Sequence, residues 1–381
     1  MLILAAIFAV FVYGLIAPVL GALLPSYSLT SSQEAALALS YAIGLIVATL
    51  IAGPMIDIKG NKIALIFGLA LVSASLFAAP NAGGYGGLLT VYVVMGLGGG
   101  IVVTGANALA GAVDPSRRGS TLNFLNLFFG LGGIVTTYAA SNVLQPVTLC
   151  YSIATLTVIA LIINAVAKTP PPSGELGFQL SEVPVLISKP ALILLSLFLF
   201  LYVSCEIGIW NWLQSYLISL NFTPKRAGSV VSYGFAFGIL VGRVVVSRIL
   251  VKIPAITVTL VAAILMAITT FVMLQLHSAG AITIAVFCAG LAMAPVFPTT
   301  LAMVGDAFPR GTATAMCIAI TLGWVGLAVS SPIIGHVKAD SNLSHALLLL
   351  PLFSVLMVLV NVVLRPVLKR RTAVVLAAGV R

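Results

Sequence analysis

Long apolar runs, separated by short polar or turn-forming segments, repeat along the whole 381-residue chain. A helix needs about 20 predominantly apolar residues to cross the hydrocarbon core of a bilayer. The breaks between runs, such as Pro80 to Gly87 and Asn142 to Pro146, have the composition of turns. The pattern predicts twelve membrane-spanning helices, at residues 2–24, 35–56, 62–79, 87–112, 120–141, 147–167, 190–220, 227–247, 255–276, 281–304, 312–336 and 344–366.

The longest polar connection, residues 168–189, follows the sixth predicted helix. It contains the run Pro170–Pro172 and the acids Glu175 and Glu182, which is typical of a linker. We therefore predict four segments: a six-helix bundle at 1–167, a cytoplasmic linker at 168–189, a second six-helix bundle at 190–366 and a basic cytoplasmic tail at 367–381.

Short sequence matches recur at about half the chain length, with offsets of 192, 192 and 191 residues. Each match falls in the equivalent helix or loop of its half, which indicates that the halves are structural repeats. The matching pairs are Ser40-Tyr41 with Ser232-Tyr233, Asp114–Gly119 with Asp306–Gly311, and Leu131–Gly133 with Leu322–Trp324.

Composition and charge agree with a membrane protein. The chain is 61% hydrophobic and only 7% charged, whereas soluble proteins average about 25% charged residues. Nucleic-acid-binding proteins gather their cations on one face, but here the cations dot the helix ends. Fourteen of the 18 Lys and Arg fall in loops on one side and three on the other. The positive-inside rule therefore predicts a cell inner membrane protein with both termini in the cytoplasm. We expect Arg243, inside the eighth helix, to snorkel to the cytosolic side.

The loop between the second and third helices reads Gly53-Pro-Met-Ile-Asp57-Ile-Lys-Gly60-Asn-Lys62. It resembles the major facilitator superfamily signature G-x-x-x-D-R-x-G-R-K, although Ile58 stands where the family has arginine. The resemblance implies two parallel six-helix repeats with a substrate site near the midplane between them. It also implies a cytosolic gate, in which the aspartate can accept hydrogen bonds from a helix N-terminus. A plain turn with an orienting charge is the alternative. The repeated loops carrying Asp114, Arg118, Asp306 and Arg310 are expected to be similar clasps.

Further short motifs resemble the fucose:proton symporter branch and its hexose-transporting relatives. They are Leu24-Pro25, Gly96–Gly98, Gly105–Asn107, Leu122–Asn126, Phe129–Gly133, Glu206 with Trp210, and Met293–Thr299. Fucose:proton symporters carry acids in the first and fourth helices at positions that correspond to Gly21 and Val103. Both acids are missing here, which puts proton coupling by that route, and fucose itself, in doubt.

Glu206 is the only acid deep within a predicted helix. A charge at the bilayer centre costs at least about 2.5–3.5 kcal/mol, so such residues usually face a cavity or a partner. Tyr202, Glu206, Trp210 and Gln214 are spaced by four residues and share one helix face, with Asn211 at its edge. Acceptor, amide and indole groups suit a polyhydroxylated solute. Glu206 is therefore a candidate solute acceptor or proton carrier; structural bonding to a neighbouring helix is the alternative.

Other polar and aromatic residues within the predicted helices are weaker candidates for solute binding. For the asparagines, hydrogen bonding between helices is an equally good interpretation, and ordinary packing is the alternative for the aromatic residues. These candidates are Asn107, Asn123, Asn126, Tyr41, Tyr233 and Trp324.

The sequence therefore predicts an all-α integral membrane protein with the major facilitator fold. Its predicted function is secondary-active or facilitative transport of a small polar solute, best a sugar, by alternating access, as uniport or proton symport. Its predicted partners are that solute, protons in the case of symport, and the lipid bilayer, with no nucleic acid, and nothing in the chain demands more than a monomer. The alternatives are a proton-coupled drug or metabolite exporter of the same fold and a non-transporting membrane sensor. No phosphate-binding loop or metal-ligand spacing is present in the sequence, so neither an enzyme nor a cofactor or metal site is predicted.

Overall fold

A computed structural model describes residues 1–19, 23, 27, 29–142, 144–169, 180–340 and 342–377. The described regular structure is helical. The helices are α1 Leu2–Ile16, α2 Ser31–Lys59, α3 Asn61–Ala78, α4 Tyr85–Val113, α5 Arg118–Asn142, α6 Pro146–Val166, α7 Val183–Ile187, α8 Pro190–Ser219, α9 Pro224–Ser229, α10 Phe237–Ile249, α11 Ala255–Gln275, α12 Ala279–Met293, α13 Val296–Ala307, α14 Thr312–Asp340, α15 Leu343–Ala346 and α16 Leu349–Ala377.

Eleven helical stretches of the described chain are long and apolar enough to span a membrane. They count α9 to α10 as one stretch, and likewise α12 to α13 and α15 to α16. The shorter helix α1 ends at Ile16, before Pro18, which lacks the N–H that a continuing helix needs. Residues 20–22 and 24 of the first predicted span lie outside the described residues, so the predicted end at residue 24 stays a prediction. The prediction of an all-α integral membrane protein is confirmed.

Three of the predicted spans are interrupted, and the twelfth, at 344–366, is divided into α15 and α16 by a turn at Leu347 and Leu348. Residues Val230–Ala236, between α9 and α10, form a π-helix, a form that often occurs at functional sites. The tenth predicted helix, at 281–304, is divided into α12 and α13, with the break at Ala294 and Pro295. The last helix α16, by contrast, continues past Pro366 to Ala377, beyond the predicted bound at 366.

The chain forms two compact units. Unit 1 comprises Met1–Thr121, Leu125–Val185 and Arg310–Ile318, and unit 2 comprises Leu122–Phe124, Leu186–Pro309 and Ala319–Arg381. Unit 1 thus includes the first turns of α14, and unit 2 includes a short piece of α5. Most of the predicted linker, residues 170–179, lies outside the described residues, so the predicted segment boundaries stay a prediction.

Glycines let helix backbones touch within each unit. In unit 1, a Cβ at Gly96 of α4 would collide with the Tyr41 carbonyl oxygen of α2. In unit 2, a Cβ at Gly238 of α10 would collide with the Phe287 carbonyl oxygen of α12. Van der Waals packing between close backbones is a main source of helix association in membranes.

Candidate functional site

The polar stripe predicted from the sequence lies on α8, within unit 2. Its residues follow one helix face because they are four positions apart. Their exposure increases along the helix: Tyr202 is fully buried, Glu206 is partly exposed, Trp210 is 39% exposed and Gln214 is exposed. Asn211, beside the stripe, is also exposed. The stripe therefore runs from a buried phenol to an open amide, with the carboxylate between them.

Glu206 has three polar neighbours in unit 2. Its carboxylate interacts with the Tyr202 hydroxyl, the Trp210 indole N–H and the Arg243 guanidinium. Arg243, on α10, is only 4% exposed. The expectation that Arg243 snorkels to a surface is therefore wrong, because its guanidinium remains buried where Glu206 offsets part of its charge.

Trp210 is fixed by an aromatic neighbour from the π-helix. Its ring lies 5.2 Å from the Phe235 ring at an interplanar angle of 74°, an edge-to-face contact. Phe235 itself is fully buried. The Trp210 side chain remains 39% exposed in this contact, which leaves area for a further stacking partner.

Several buried polar atoms of unit 2 lack hydrogen-bond partners of good geometry among the described residues. The hydroxyl of Tyr202 and the indole nitrogen of Trp324 on α14 are two of them. Helix α14 packs on α8 nearby, because the Ser204 hydroxyl donates to the Gly326 carbonyl over 3.3 Å. A buried donor without a well-aligned partner costs free energy, so a polar solute that accepts a hydrogen bond from either donor would recover part of that cost.

The predicted asparagines are fully buried and bonded within the protein. In unit 1, the Asn126 amide donates to Asn107 Oδ1 over 3.1 Å, and the Asn107 amide donates to the Val103 carbonyl over 2.8 Å. In unit 2, Asn123 donates to the Thr299 hydroxyl over 2.8 Å. The Asn126–Asn107 and Asn123–Thr299 bonds are interhelical, the alternative to solute binding, whereas the Asn107–Val103 bond lies within α4. A solute-binding role for the three asparagines stays a prediction.

The repeat mates Tyr41 and Tyr233 have different surroundings. Tyr41 is half-buried, and its hydroxyl lies 3.5 Å from the position a Cβ would take at Gly99 of α4. Tyr233 is 75% exposed on the π-helix. The two tyrosines therefore do not form equivalent sites in the two units, and solute binding by either stays a prediction.

Asp57, in the predicted gate motif, caps the start of α14 within unit 1. Its buried carboxylate accepts hydrogen bonds from the backbone N–H groups of Ala313, over 3.2 Å, and Thr314, over 2.7 Å. Such N–H groups have no partner within the helix, and the positive end of the helix dipole favours an anion there.

The glycines of this motif are needed for the same contact. A Cβ at Gly53 would collide with the Cys317 sulfur and would lie 2.7 Å from Thr314 Cα. Gly60 has φ of 90°, a conformation that favours glycine. Lys62 is half-buried on the first turn of α3. The gating role of this motif stays a prediction.

The repeated Asp-Arg loops differ in their contacts. Asp114 accepts hydrogen bonds from the Ser116 hydroxyl over 2.6 Å and from the Ser116 and Arg117 backbone N–H groups. The Ser116 hydroxyl bond is the main reason that the pKa of Asp114 lies below its usual range. Arg118 donates to the Gly111 carbonyl over 3.2 Å.

The matching loop of the second repeat makes other contacts. Arg310 lies 4.0 Å from Glu182, and both side chains are about half exposed, so the pair contributes little stability. Asp306 is exposed at the end of α13. The two loops therefore share a sequence pattern, but Asp114 and Arg118 bond within their own loop and to α4, whereas Arg310 lies near Glu182.

Some of this arrangement has a signal in the sequence and some has none. Arg243 carried one, because a charge within a span usually has a partner. Phe235 and Thr299 carried none, since their contacts join residues far apart in sequence. Gly21 lies outside the described residues, and Val103 is fully buried. Among the described residues, no group of three or more His, Cys, Asp or Glu could hold a metal ion.

The sequence profile of the Major Facilitator Superfamily matches residues 2–331, and the chain belongs to this superfamily of membrane transporters. It is 29% identical over 250 residues to the quinolone resistance protein NorA of Staphylococcus aureus. That alignment covers 61% of this chain and 62% of NorA, so the chain spans about three fifths of the length of this relative. The chain is also 26% identical over 175 residues to bypass of stop codon protein 6 of Saccharomyces cerevisiae, covering 43% of this chain and 35% of that protein.

Solved structures share the fold at low sequence identity. The major facilitator transporter FucP in the outward conformation has a TM-score of 0.82 at 17% identity, over 95% of this chain and 98% of FucP. The proton:xylose symporter XylE has a TM-score of 0.76 at 14% identity, over 94% of each chain. The human organic anion transporter MFSD10 has a TM-score of 0.78 at 14% identity, over 94% of this chain and 97% of MFSD10. These similarities establish the fold, and the substrates of those proteins remain theirs.

Proposed function

We propose that the protein carries a sugar, or a similar small polyhydroxylated solute, across the cell inner membrane by alternating access. The observation that carries this proposal is the α8 stripe in unit 2. It combines a carboxylate acceptor at Glu206, a buried hydroxyl at Tyr202 without a partner of good geometry among the described residues, and an accessible indole at Trp210. Sugar hydroxyls need paired polar partners, and an aromatic face packs against sugar C–H surface.

Within this proposal, Glu206 has two alternative roles. As a solute ligand, its carboxylate accepts hydrogen bonds from hydroxyl groups of the sugar. As a proton carrier, it takes up and releases a proton in each cycle, which couples transport to a proton gradient. The fold shared with FucP, which is described as a fucose:proton symporter, makes symport a reasonable alternative to uniport.

The orientation in the membrane is part of the same proposal. We place both termini in the cytoplasm because of the excess of Lys and Arg in one set of loops. We expect one chain to suffice, because the α8 stripe is built from residues of unit 2 alone. Labelling of an engineered cysteine at Ser278 from outside intact cells, with one at Ser116 protected, tests the orientation.

The function is tested by uptake of labelled hexoses into liposomes that contain the purified protein, with and without an inward proton gradient. Gradient-driven accumulation that is lost in Glu206→Gln, with downhill exchange intact, indicates proton coupling through Glu206. Saturable equilibration that ignores the gradient indicates uniport, and its loss in Glu206→Gln then indicates solute binding. If neither hexose accumulation nor equilibration occurs, the sugar proposal is wrong.

Two tryptophans of α8, Trp210 and Trp212, provide a variant and its matched control. Trp210→Phe is expected to weaken hexose uptake because it shortens the accessible ring of the stripe. Trp212 instead packs against Gly335 of α14, where its ring lies 3.6 Å from a Cβ position. Trp212→Phe is therefore expected to leave the apparent affinity for the hexose unchanged. Equal effects on that affinity would contradict the role of the α8 stripe.

A proton-coupled drug exporter is the second candidate, and the similarity to NorA favours it. An exposed tryptophan beside a carboxylate also suits an aromatic cation. Extrusion of a fluorescent organic cation from inverted vesicles, abolished in Glu206→Gln, would support this candidate over sugar transport. Absence of transport in both the hexose uptake assay and the cation extrusion assay would favour a membrane sensor.

A further inference from the structure

At one end of unit 2, α11 and α16 pack against each other and share a buried hydrogen bond. The Asn361 amide of α16 donates to the Thr259 hydroxyl of α11 over 2.9 Å, and both side chains are fully buried. Neither residue belongs to the α8 stripe. The bond fixes the axial position of one helix relative to the other at this end of the unit.

This bond also determines the axial position of Arg365 relative to the N-terminus of α11. Successive spans alternate in direction, so α11 and α16, which are three spans apart, run antiparallel. From Thr259 back to Ala255, the first residue of α11, is four residues, or about 6 Å along the helix. Arg365 lies four residues after Asn361, which is the same distance along α16. Because the two helices are antiparallel, both displacements point towards the same side of the membrane. Arg365 therefore lies level with the N-terminus of α11.

The surroundings of Arg365 are cationic. Its side chain is half-buried, and its Nε is buried without a hydrogen-bond partner among the described residues. Arg365 also makes no ion pair in the described part of the chain. Lys369 and Arg370 are exposed one turn further along α16, and Lys252 is exposed in the turn before α11. All four cations lie in segments that the charge distribution assigns to the cytosolic side.

The N-terminus of α11 adds to this positive potential. Its N-cap residue is Pro254, and no side chain caps the first turn. The Ala255 and Ile256 N–H groups have no acceptor within the helix, whereas the Thr257 N–H donates to the Pro254 carbonyl over 2.9 Å. Such free N–H groups and the positive end of the helix dipole favour an anion. Val362, three residues before Arg365 and on the same helix face, is 54% exposed. The cations around Arg365 and the N–H groups at the start of α11 thus lie at the end of an apolar surface, which includes Val362 and faces the membrane.

We propose that Arg365, Lys369, Arg370 and Lys252, together with the start of α11, bind the phosphate headgroup of an anionic phospholipid. The acyl chains of that lipid lie along the apolar surface that includes Val362. Basic pockets between membrane helices on the cytoplasmic side bind such headgroups, and a cation near the membrane surface contributes about 1 kcal/mol. The proposal requires a membrane-spanning chain but does not depend on which solute is transported.

The test is native mass spectrometry of the detergent-purified protein titrated with phosphatidylglycerol. We expect the apparent affinity for phosphatidylglycerol to fall about fivefold in Arg365→Gln, since each cation removed costs about that factor. In the double variant Lys369→Gln/Arg370→Gln, which removes two cations, we expect a larger fall. Arg365→Lys keeps the charge and is expected to retain most of the binding. Arg117→Gln, which removes an exposed cation from unit 1, is the matched control and is expected to have no effect.

Two ligands complete the design. Phosphatidylcholine is expected to bind at least fivefold more weakly than phosphatidylglycerol, and millimolar inorganic phosphate is expected not to displace the lipid. Equal affinities for the two lipids, displacement by phosphate alone, or equal losses in Arg117→Gln and Arg365→Gln would each overturn the proposal. If Arg365→Gln does not fold, as judged by size-exclusion chromatography, the exposed Lys369 and Arg370 variant decides the outcome.

Discussion

Three buried polar residues of unit 1, Asp57, Asn107 and Asn126, differ from Tyr202 of the α8 stripe in unit 2 in how well their hydrogen bonds are formed. In unit 1, Asn107 and Asn126 bond to each other, and Asp57 accepts two backbone N–H groups. On α8, the Tyr202 hydroxyl has no partner of good geometry among the described residues. A paired group stabilises the fold, whereas an unpaired buried donor is costly until something binds it.

This difference separates residues that hold the protein together from residues that are available to a solute. A polar residue in a membrane span is by default a functional hypothesis, but its partner decides which kind of function it has. Asp57 serves a helix end, and its removal should alter stability. The Tyr202 hydroxyl has no hydrogen bond of good geometry to any described residue, so its removal should alter solute binding.

The largest effect on stability is expected from Asp57→Ala. Two backbone N–H groups at the start of α14 would lose their acceptor, and an unsatisfied buried group costs about 1–3 kcal/mol. We expect the free energy of unfolding in mixed micelles to fall by about 3 kcal/mol. Asp57→Asn keeps an oxygen acceptor and should lose less, so equal losses in the two variants would contradict the capping role.

Gly53→Ala is expected to cost slightly less, about 2 kcal/mol, because overpacking of a close contact typically costs 1–3 kcal/mol. The new methyl group would collide with the Cys317 sulfur and crowd Thr314 Cα. Thermal unfolding in detergent measures the loss. Gly86→Ala is the control, since no atom lies within 4 Å of its Cβ position. A stability loss in the control as large as in Gly53→Ala would rule out this explanation.

Tyr202→Phe should separate the two classes of residue most directly. It removes a buried hydroxyl that lacks a partner of good geometry among the described residues, so we expect the free energy of unfolding to stay constant or to rise by about 1 kcal/mol. Hexose uptake should fall in the same variant. Tyr216→Phe is the matched control on α8, because the Tyr216 hydroxyl donates to the Leu274 carbonyl over 3.3 Å. The control should lose about 0.5–1 kcal/mol of stability and keep its uptake; the reverse pattern would refute the assignment.

The smallest effect is expected at the asparagine pair of unit 1. Interhelical hydrogen bonds in membrane proteins average about 0.6 kcal/mol. A double-mutant cycle with Asn107→Leu and Asn126→Leu should therefore give a coupling energy of about that size, measured by equilibrium denaturation. The Asn126→Leu variant should transport as well as the wild type. A large rise in the Michaelis constant for the hexose would instead move Asn126 into the solute site.

Local patterns in the sequence were sufficient for the helices and for the family. Apolar runs predicted membrane spans, and the Gly53–Lys62 loop pointed to the superfamily that the chain belongs to. The four-residue spacing placed Tyr202, Glu206 and Trp210 on one face of α8. These features depend on residues near one another in the chain, so they need no knowledge of the tertiary structure.

Contacts between distant residues could not be predicted in the same way. Asn123 bonds to Thr299, 176 residues away. Trp210 packs on Phe235, which lies in a π-helix that no sequence pattern predicted. Arg243 was expected at a surface and is buried instead. A spacing rule cannot supply such partners, because it orders side chains on a single helix and is silent about the helix beside it.

The sequence by itself determined that this chain crosses the membrane as a series of helices, because apolar length and the need to satisfy every backbone hydrogen bond leave few alternatives in lipid. It also determined which polar residues lie within the spans. Only the tertiary structure decided which of those residues are paired and which are open. The reason is physical: pairing depends on helix packing, which brings together side chains that the sequence keeps far apart.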